Sequence, residues 1–220
     1  MQNTYQSDRL HPVYKCLRDN IRNGQMWGHL PENELVFTFF EDIKKYIDVK
    51  NILEFGYNLG FSSSYQLVVH PEANLVSYDR SVWHSNAAIY DEAHQSKVKI
   101  ACWKLGKLAF GDRLTFHAKS STEVTKDYKP GVFDYCFIDG NHSYEGAVGD
   151  IQSAIDLDIP YVVIDNIKNP EYSVSMAYKS FSNLKELNRI EYTAKYPRSD
   201  ADGMTRYISD DIALFEVLKL

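Results

Sequence analysis

Short apolar runs alternate with segments of helical periodicity along most of the chain. The apolar runs at 51–55, 75–78, 114–117, 133–138 and 161–164 have the length and composition of buried strands. Between them, apolar residues recur at spacings of three and four, as in the stripe formed by Ala147, Val148, Ile151, Ala154 and Ile155. Strands that alternate with helices predict a mainly parallel sheet with helices on both faces.

The same pattern predicts where each helix lies and how the sheet closes. Helices are expected over residues 10–22, 31–47, 62–69, 86–105, 122–126, 143–155 and 171–187. Two closing strands, 189–196 and 212–218, follow without a helix between them, so one of them should be antiparallel. We therefore expect an α/β fold with a doubly wound, seven-stranded sheet and an antiparallel last strand. No linker or repeat divides residues 1–220, which predicts a single domain with residues 1–30 as an N-terminal cap or lid.

Composition narrows the class of protein. The 220 residues carry a formal charge of −6, which argues against a nucleic-acid partner and favours a small molecule. No segment is long and apolar enough for a membrane span, and the polar N-terminus does not resemble a signal peptide. The three cysteines (Cys16, Cys102 and Cys136) are too scattered for a disulfide framework, which predicts a reducing cytoplasm. A homo-oligomer is left open by the sequence.

Oxygen-bearing side chains follow two predicted strands at the point where each strand ends. Asp139 ends the run that begins at Phe133, and Asp165 with Asn166 ends the run that begins at Tyr161. In an open α/β sheet, adjacent parallel strands bring such residues to the edge where ligands bind. Three oxygen ligands suit a hard cation such as Mg²⁺. His142 follows closely enough to act there as a general base.

A glycine-containing turn follows the first strand, in the segment Glu54-Phe-Gly-Tyr-Asn-Leu-Gly-Phe-Ser62. Gly56 and Gly60 permit a tight turn and a close approach by a ligand. Asn58 stands where the dinucleotide fingerprint Gly-x-Gly-x-x-Gly has its second glycine, which disfavours a nicotinamide dehydrogenase and suits a cofactor without phosphate. Asp79 ends the second strand, where nucleotide-binding folds place an acid that binds the ribose hydroxyls. The alternative is that Asp79 is an ordinary solvent-facing turn residue.

These motifs, in order with Phe-Ile-Asp139-Gly-Asn-His-Ser-Tyr144, resemble class I S-adenosylmethionine-dependent methyltransferases. The likeness covers about residues 34–170 and is strongest to metal-dependent small-molecule and sugar O-methyltransferases. It implies S-adenosylmethionine as the cofactor, a divalent cation such as Mg²⁺, and a small hydroxylated acceptor. The implied cofactor-binding residues are Glu54, Gly56, Tyr57, Gly60, Ser62, Asp79, Arg80, Ser121 and Asp139. The implied metal ligands are Asp139, Asp165 and Asn166, and the implied catalytic residues are His142 as base and Asp139.

The sequence also departs from that family, and other interpretations remain. The segment Asp158-Ile-Pro160 stands where relatives usually have a pair of glycines before the fifth strand. Asp139 can also be a cofactor-site acid without metal, and His142 a helix-entry residue bonded to the backbone. The competing functions are a metal-independent methyltransferase acting on nitrogen or a nucleic-acid-related substrate, and a non-catalytic S-adenosylmethionine-binding regulatory protein.

Overall fold

A computed structural model describes residues 34–80, 92–169, 172–197 and 205–219. The helix predicted over residues 10–22 and the cap or lid predicted at 1–30 lie outside the described residues. No helix within the described ranges is both long and apolar enough to cross a membrane.

A single seven-stranded sheet organises the described residues, in the order β3-β2-β1-β4-β5-β7-β6. The strands are β1 (Asn51–Phe55), β2 (Asn74–Tyr78), β3 (Leu114–His117), β4 (Tyr135–Ile138), β5 (Tyr161–Asp165), β6 (Leu184–Pro197) and β7 (Thr205–Val217). Strands β1 to β5 pair in parallel, and β7 runs antiparallel to both β5 and β6. The predicted fold class is confirmed, including the antiparallel last strand.

Six α-helices connect or flank these strands in the described ranges. They are α1 (Glu34–Asp42), α2 (Phe61–Val69), α3 (Glu92–Phe110), α4 (Val124–Asp127), α5 (Tyr144–Asp156) and α6 (Val174–Lys179). Short 3₁₀ turns at Ile43–Lys45, Gly111–Arg113 and Ser121–Glu123 extend three of the connections. Ser143 caps α5 because its hydroxyl accepts the main-chain N–H of Gly146 at 3.1 Å.

Each face of the sheet packs against its own set of helices. Side chains alternate across a strand, so neighbouring β4 residues point to opposite faces. Phe137 belongs to the core shared with α1, α2 and α3. Its neighbours Cys136 and Ile138 belong to the core shared with α4, α5 and α6. The sheet is therefore covered on both sides, and its functional edge is the one where β1, β2, β4 and β5 end.

Two predicted helices differ from the structure in extent: α3 continues to Phe110 rather than ending at residue 105, and the last predicted helix is too long. Periodicity predicted a helix over residues 171–187, whereas α6 covers only Val174–Lys179 and residues from Leu184 onward belong to β6. Strand β6 pairs with β7 from Leu184↔Val217 to Pro197↔Thr205. Cross-strand hydrogen bonds and packing along this ladder override local helical spacing, because strand preference depends on partners distant in sequence.

Candidate active site

The turn between β1 and α2 is closed against the end of β4. Gly56 has φ +97° and donates its main-chain N–H to the Tyr78 carbonyl at 2.9 Å. A Cβ on Gly56 would lie 2.1 Å from the Asp139 carbonyl oxygen. Gly60 has φ +81° and begins α2. Glycine is therefore required at position 56 by both backbone conformation and space.

Glu54 and Ser62 are brought together beneath this turn. Glu54 is fully buried, and its Oε1 accepts hydrogen bonds from Ser62 Oγ at 2.7 Å and Gln66 Nε2 at 3.1 Å. Its Oε2 accepts a bond from Ser63 Oγ at 2.5 Å. Burial raises the pKa of Glu54, while the serine hydroxyls lower it. Glu54 thus anchors the first turn of α2 to the end of β1.

Tyr57 places its side chain in the core below the turn. Its ring packs edge-on against Phe116 with centroids 5.2 Å apart, and its hydroxyl lies 3.4 Å from the Cys102 carbonyl. A Cβ at Gly60 would lie 2.5 Å from that hydroxyl, and one at Gly106 would lie 2.7 Å away. Any contact of Tyr57 with a ligand would therefore come from its main chain.

Asp79 extends from the end of β2 to the glycine turn. Its Oδ2 accepts the main-chain N–H of Asn58 at 2.7 Å, and Asn58 adopts φ +46° in this turn. A carboxylate can accept several hydrogen bonds, so two neighbouring hydroxyls of a ligand can share it. Arg80 beside it is exposed and donates from Nη2 to Ser120 Oγ at 3.2 Å.

A buried acid that sequence reasoning missed holds Ser121. Ser121 Oγ donates to Asp150 Oδ1 at 2.5 Å, and Asp150 is 2% exposed. Burial raises the pKa of Asp150 to about 6. A Cβ on Gly140 would lie 2.7 Å from Asp150 Oδ2, so this carboxylate packs against the turn that carries Asp139. The available signal was an acid within the apolar stripe of α5, between Ala147 and Ile151.

His142 lies directly beside Asp139 at the end of β4. Its Nε2 is 3.0 Å from Asp139 Oδ1, and its ring lies 4.2 Å from the Tyr172 ring, inclined by 31°. Burial lowers the pKa of His142 to about 4, so the imidazole is neutral near pH 7. If Asp139 is ionised, Nε2 carries the shared proton and Nδ1 is the basic nitrogen.

Asp165 and Asn166 end β5 at the same edge. Asp165 is 4% exposed, and its Oδ1 accepts the Tyr192 hydroxyl at 2.9 Å. Burial raises the pKa of Asp165 well above its ordinary value. The negative charges of Asp139 and Asp210 raise it further. Asn166, at φ +62°, donates from Nδ2 to Asp210 Oδ2 at 2.7 Å. Asp210 is a second acid that sequence reasoning missed, since it lies in β7, far away in sequence.

The side-chain chemistry at this edge suits a hard cation only in part. The negative charge of Asp139 raises the pKa of the buried Asp165, and a bound cation would offset that repulsion. Within the described ranges, however, no group of three or more His, Cys, Asp or Glu side chains is arranged to hold a metal ion. A three-ligand set at this edge therefore has to include the amide of Asn166.

Comparisons with known proteins agree with this architecture. A family model described as a methyltransferase domain matches residues 53–165, just over half of the chain. An O-methyltransferase from Bacillus cereus, solved with S-adenosylhomocysteine, is 14% identical, with a TM-score of 0.58 over 98% of this chain and 93% of that one. The O-methyltransferase TomG from Streptomyces achromogenes, solved with S-adenosylmethionine, is 17% identical, with a TM-score of 0.55 over 94% and 89%. No curated protein sequence matches the chain.

Proposed function

The chain belongs to the methyltransferase-domain family, and we propose that it transfers the methyl group of S-adenosylmethionine to an oxygen of a small polar acceptor. The acceptor would be a sugar or another hydroxylated metabolite. Two proteins of the same fold support the proposal. They are the O-methyltransferases from Bacillus cereus, solved with S-adenosylhomocysteine, and from Streptomyces achromogenes, solved with S-adenosylmethionine.

The observation that carries the proposal is the arrangement of Asp79 over the Gly56 turn. The turn closes against the Asp139 carbonyl, and the Asn58 N–H holds the Asp79 carboxylate at 2.7 Å. A carboxylate in this position accepts both hydroxyls of a ribose, and main-chain groups of a glycine turn suit the amino-acid part of the cofactor. We expect the adenine beyond Asp79, between Arg80 and Ser121.

The acceptor would lie at the ends of β4 and β5, beside His142. Neutral imidazole can remove the proton of an acceptor hydroxyl, and Asp139 stabilises the imidazolium that forms, since their atoms are 3.0 Å apart. The hydroxyl oxygen then attacks the methyl carbon, and the bond between carbon and sulfur breaks. The protein contributes mainly by holding the two reactants in line.

A divalent cation remains part of the proposal. The residues that would hold it are Asp139, Asp165 and Asn166, with the Asn166 amide oriented by its bond to Asp210. Such an ion would lower the pKa of the acceptor hydroxyl. The support for this part is that the negative charge of Asp139 raises the pKa of Asp165.

Calorimetric titration with S-adenosylhomocysteine tests the cofactor half. We expect wild-type protein to bind, and Asp79→Asn to bind about tenfold more weakly, because charge-assisted hydrogen bonds to the ligand are lost. Asp112→Asn is the matched control, since Asp112 is an exposed acid in the Gly111–Arg113 turn. Absence of binding by wild-type protein, or equal binding by Asp79→Asn, would overturn the cofactor site.

Thermal unfolding with added Mg²⁺ tests the metal part separately. In the presence of S-adenosylhomocysteine, Mg²⁺ should raise the melting temperature of wild-type protein but not of Asp165→Asn. An equal response of the two proteins would remove the metal from the proposal and leave the cofactor site standing.

Release of S-adenosylhomocysteine in the presence of hydroxylated acceptors tests the chemistry. His142→Gln should lower kcat by about 10²–10⁴-fold while leaving cofactor binding intact. Turnover with amines or RNA alone would favour the metal-independent alternative. Cofactor binding without turnover of any acceptor class would favour a regulatory binding protein.

Cys102 and Cys136 are buried free thiols, which supports our proposal of a reducing cytoplasm.

A further inference from the structure

A cleft of about 450 Å³ lies beyond the end of β5. Two tyrosine rings, Tyr172 and Tyr178, line the cleft. Its other polar lining residues are Lys168, Asn169, Ser175, Lys179 and Arg189. None of the described residues that line it is an acid. Three of its eight lining residues are cations, in a chain whose formal charge is −6.

The cleft adjoins the acceptor side of the proposed site. Tyr172 lines the cleft, and its ring also lies 4.2 Å from the ring of His142. The loop that leaves β5 through Asn166 continues directly into the lining at Ile167. Tyr172 is therefore shared between the cleft and the surroundings of His142.

Hydrogen-bond donors are available in the cleft, although part of the positive charge is already neutralised. Arg189 donates from Nε and Nη2 to Glu186 at 3.0 and 2.6 Å and from Nη1 to Asp211. A guanidinium has five N–H groups, so these bonds leave about two for a ligand. Lys168 is paired with Glu191.

Lys179 is different from these two cations. Its Nζ lies 5.8 Å from the centroid of the Tyr178 ring. In the part of the chain that the structure describes, no carboxylate forms an ion pair with it. An ammonium group held over an aromatic wall, beside a second cation with donors to spare, is suited to an oxyanion.

We propose that this cleft binds the anionic group, a carboxylate or a phosphate, of the methyl acceptor. The acceptor is then a hydroxylated acid, such as a sugar acid or a sugar phosphate, with its hydroxyl at His142 and its anionic group at Lys179. This inference rests on the proposed function for the placement of the hydroxyl, but the anion site itself can be tested without turnover.

Calorimetric titration of the full chain at low salt tests the inference with three probes: inorganic phosphate, glucuronate and uncharged glucose. Lys179→Gln should weaken binding of the anion about tenfold, because a charged donor is lost. Lys185→Gln is the matched control, since Lys185 is an exposed lysine on β6 that pairs with Glu216 at 3.2 Å outside the cleft. It should bind the anion as tightly as wild-type protein.

The outcomes separate this inference from the proposed function. Binding of phosphate alone or glucuronate alone, lost in Lys179→Gln, supports the site and identifies the anionic group. No binding of either anion, equal binding of glucose, or equal effects of the two substitutions overturns it. Titration of each protein with S-adenosylhomocysteine in parallel reports on the cofactor site, so a failure there is recognised independently of the anion result.

Discussion

Replacing Gly56 with alanine should both destabilise the fold and damage the cofactor site. An alanine Cβ would lie 2.1 Å from the Asp139 carbonyl oxygen and 3.1 Å from the Gly140 Cα. Both atoms belong to the main chain of the turn after β4, so no side-chain rotation can relieve the contact. The turns that follow β1 and β4 would have to separate.

The magnitude follows from two contributions. At φ +97°, alanine costs about 1–2 kcal/mol relative to glycine, partly offset by about 0.4–1 kcal/mol from the less flexible unfolded chain. Overpacking adds about 1–3 kcal/mol. Gly131→Ala isolates the first contribution, because Gly131 has φ +80° and a Cβ there meets nothing within 4 Å.

Urea denaturation of both variants, with titration by S-adenosylhomocysteine, measures these effects. We expect Gly56→Ala to lose about 1–3 kcal/mol more unfolding free energy than Gly131→Ala, and to lose cofactor affinity while Gly131→Ala keeps it. Equal destabilisation by the two substitutions, with normal cofactor binding by Gly56→Ala, would refute the close approach of the two turns.

Two further predictions concern buried ionisable groups. Ser121→Ala removes the hydroxyl that donates to Asp150 at 2.5 Å, which should raise the pKa of Asp150 above about 6. The substitution should lower the unfolding free energy by about 1–3 kcal/mol at pH 8. The loss should be smaller at pH 5, where Asp150 is protonated. Urea denaturation at both pH values measures this, with Ser153→Ala as control because that hydroxyl donates to the Gly149 carbonyl within α5. Burial lowers the pKa of His70 to about 4, so its protonation favours the unfolded chain. The contribution of His70 to the unfolding free energy is complete above about pH 6.5 and falls by up to about 3 kcal/mol as the pH approaches 4. His70→Gln should lack this part of the pH dependence in the same urea denaturation series.

Either result can contradict its reasoning. An equal loss from Ser121→Ala at pH 5 and pH 8 would show that the bond to Asp150 does not depend on its charge. A His70→Gln protein with the same stability loss between pH 6.5 and 4 as wild-type protein would show that His70 is not the group that titrates.

The strand cores and the edge of the candidate site could be predicted from local pattern. β3 was predicted at its observed bounds, and the predicted runs for β1 and β5 agree with the structure to within a residue. The positions of Asp79, Asp139 and Asp165 at strand ends were enough to place them at one edge, because the carboxyl ends of adjacent parallel strands always meet there. Their individual roles as ligands and base stay predictions.

Residues that approach the site from distant parts of the chain could not be found in the same way. Asp210 reaches Asn166 only because β7 pairs with β5, and the register that matches Ile212 with Asp165 is not encoded in either segment alone. The lengths of β6 and α6 were misjudged for the same reason, since the ladder with β7 decides them.

Sequence alone determined the fold class, the glycine turn and the acids that end the strands, since these depend on periodicity and on conformations that few residues tolerate. Tertiary structure decided which groups are buried together. It directed the Tyr57 side chain into the core and placed Asp150 behind the turn that carries Asp139. It also brought Tyr172 against His142 at the border of a cationic cleft. Such contacts depend on how helices and strands pack, and packing joins residues that local sequence pattern cannot relate.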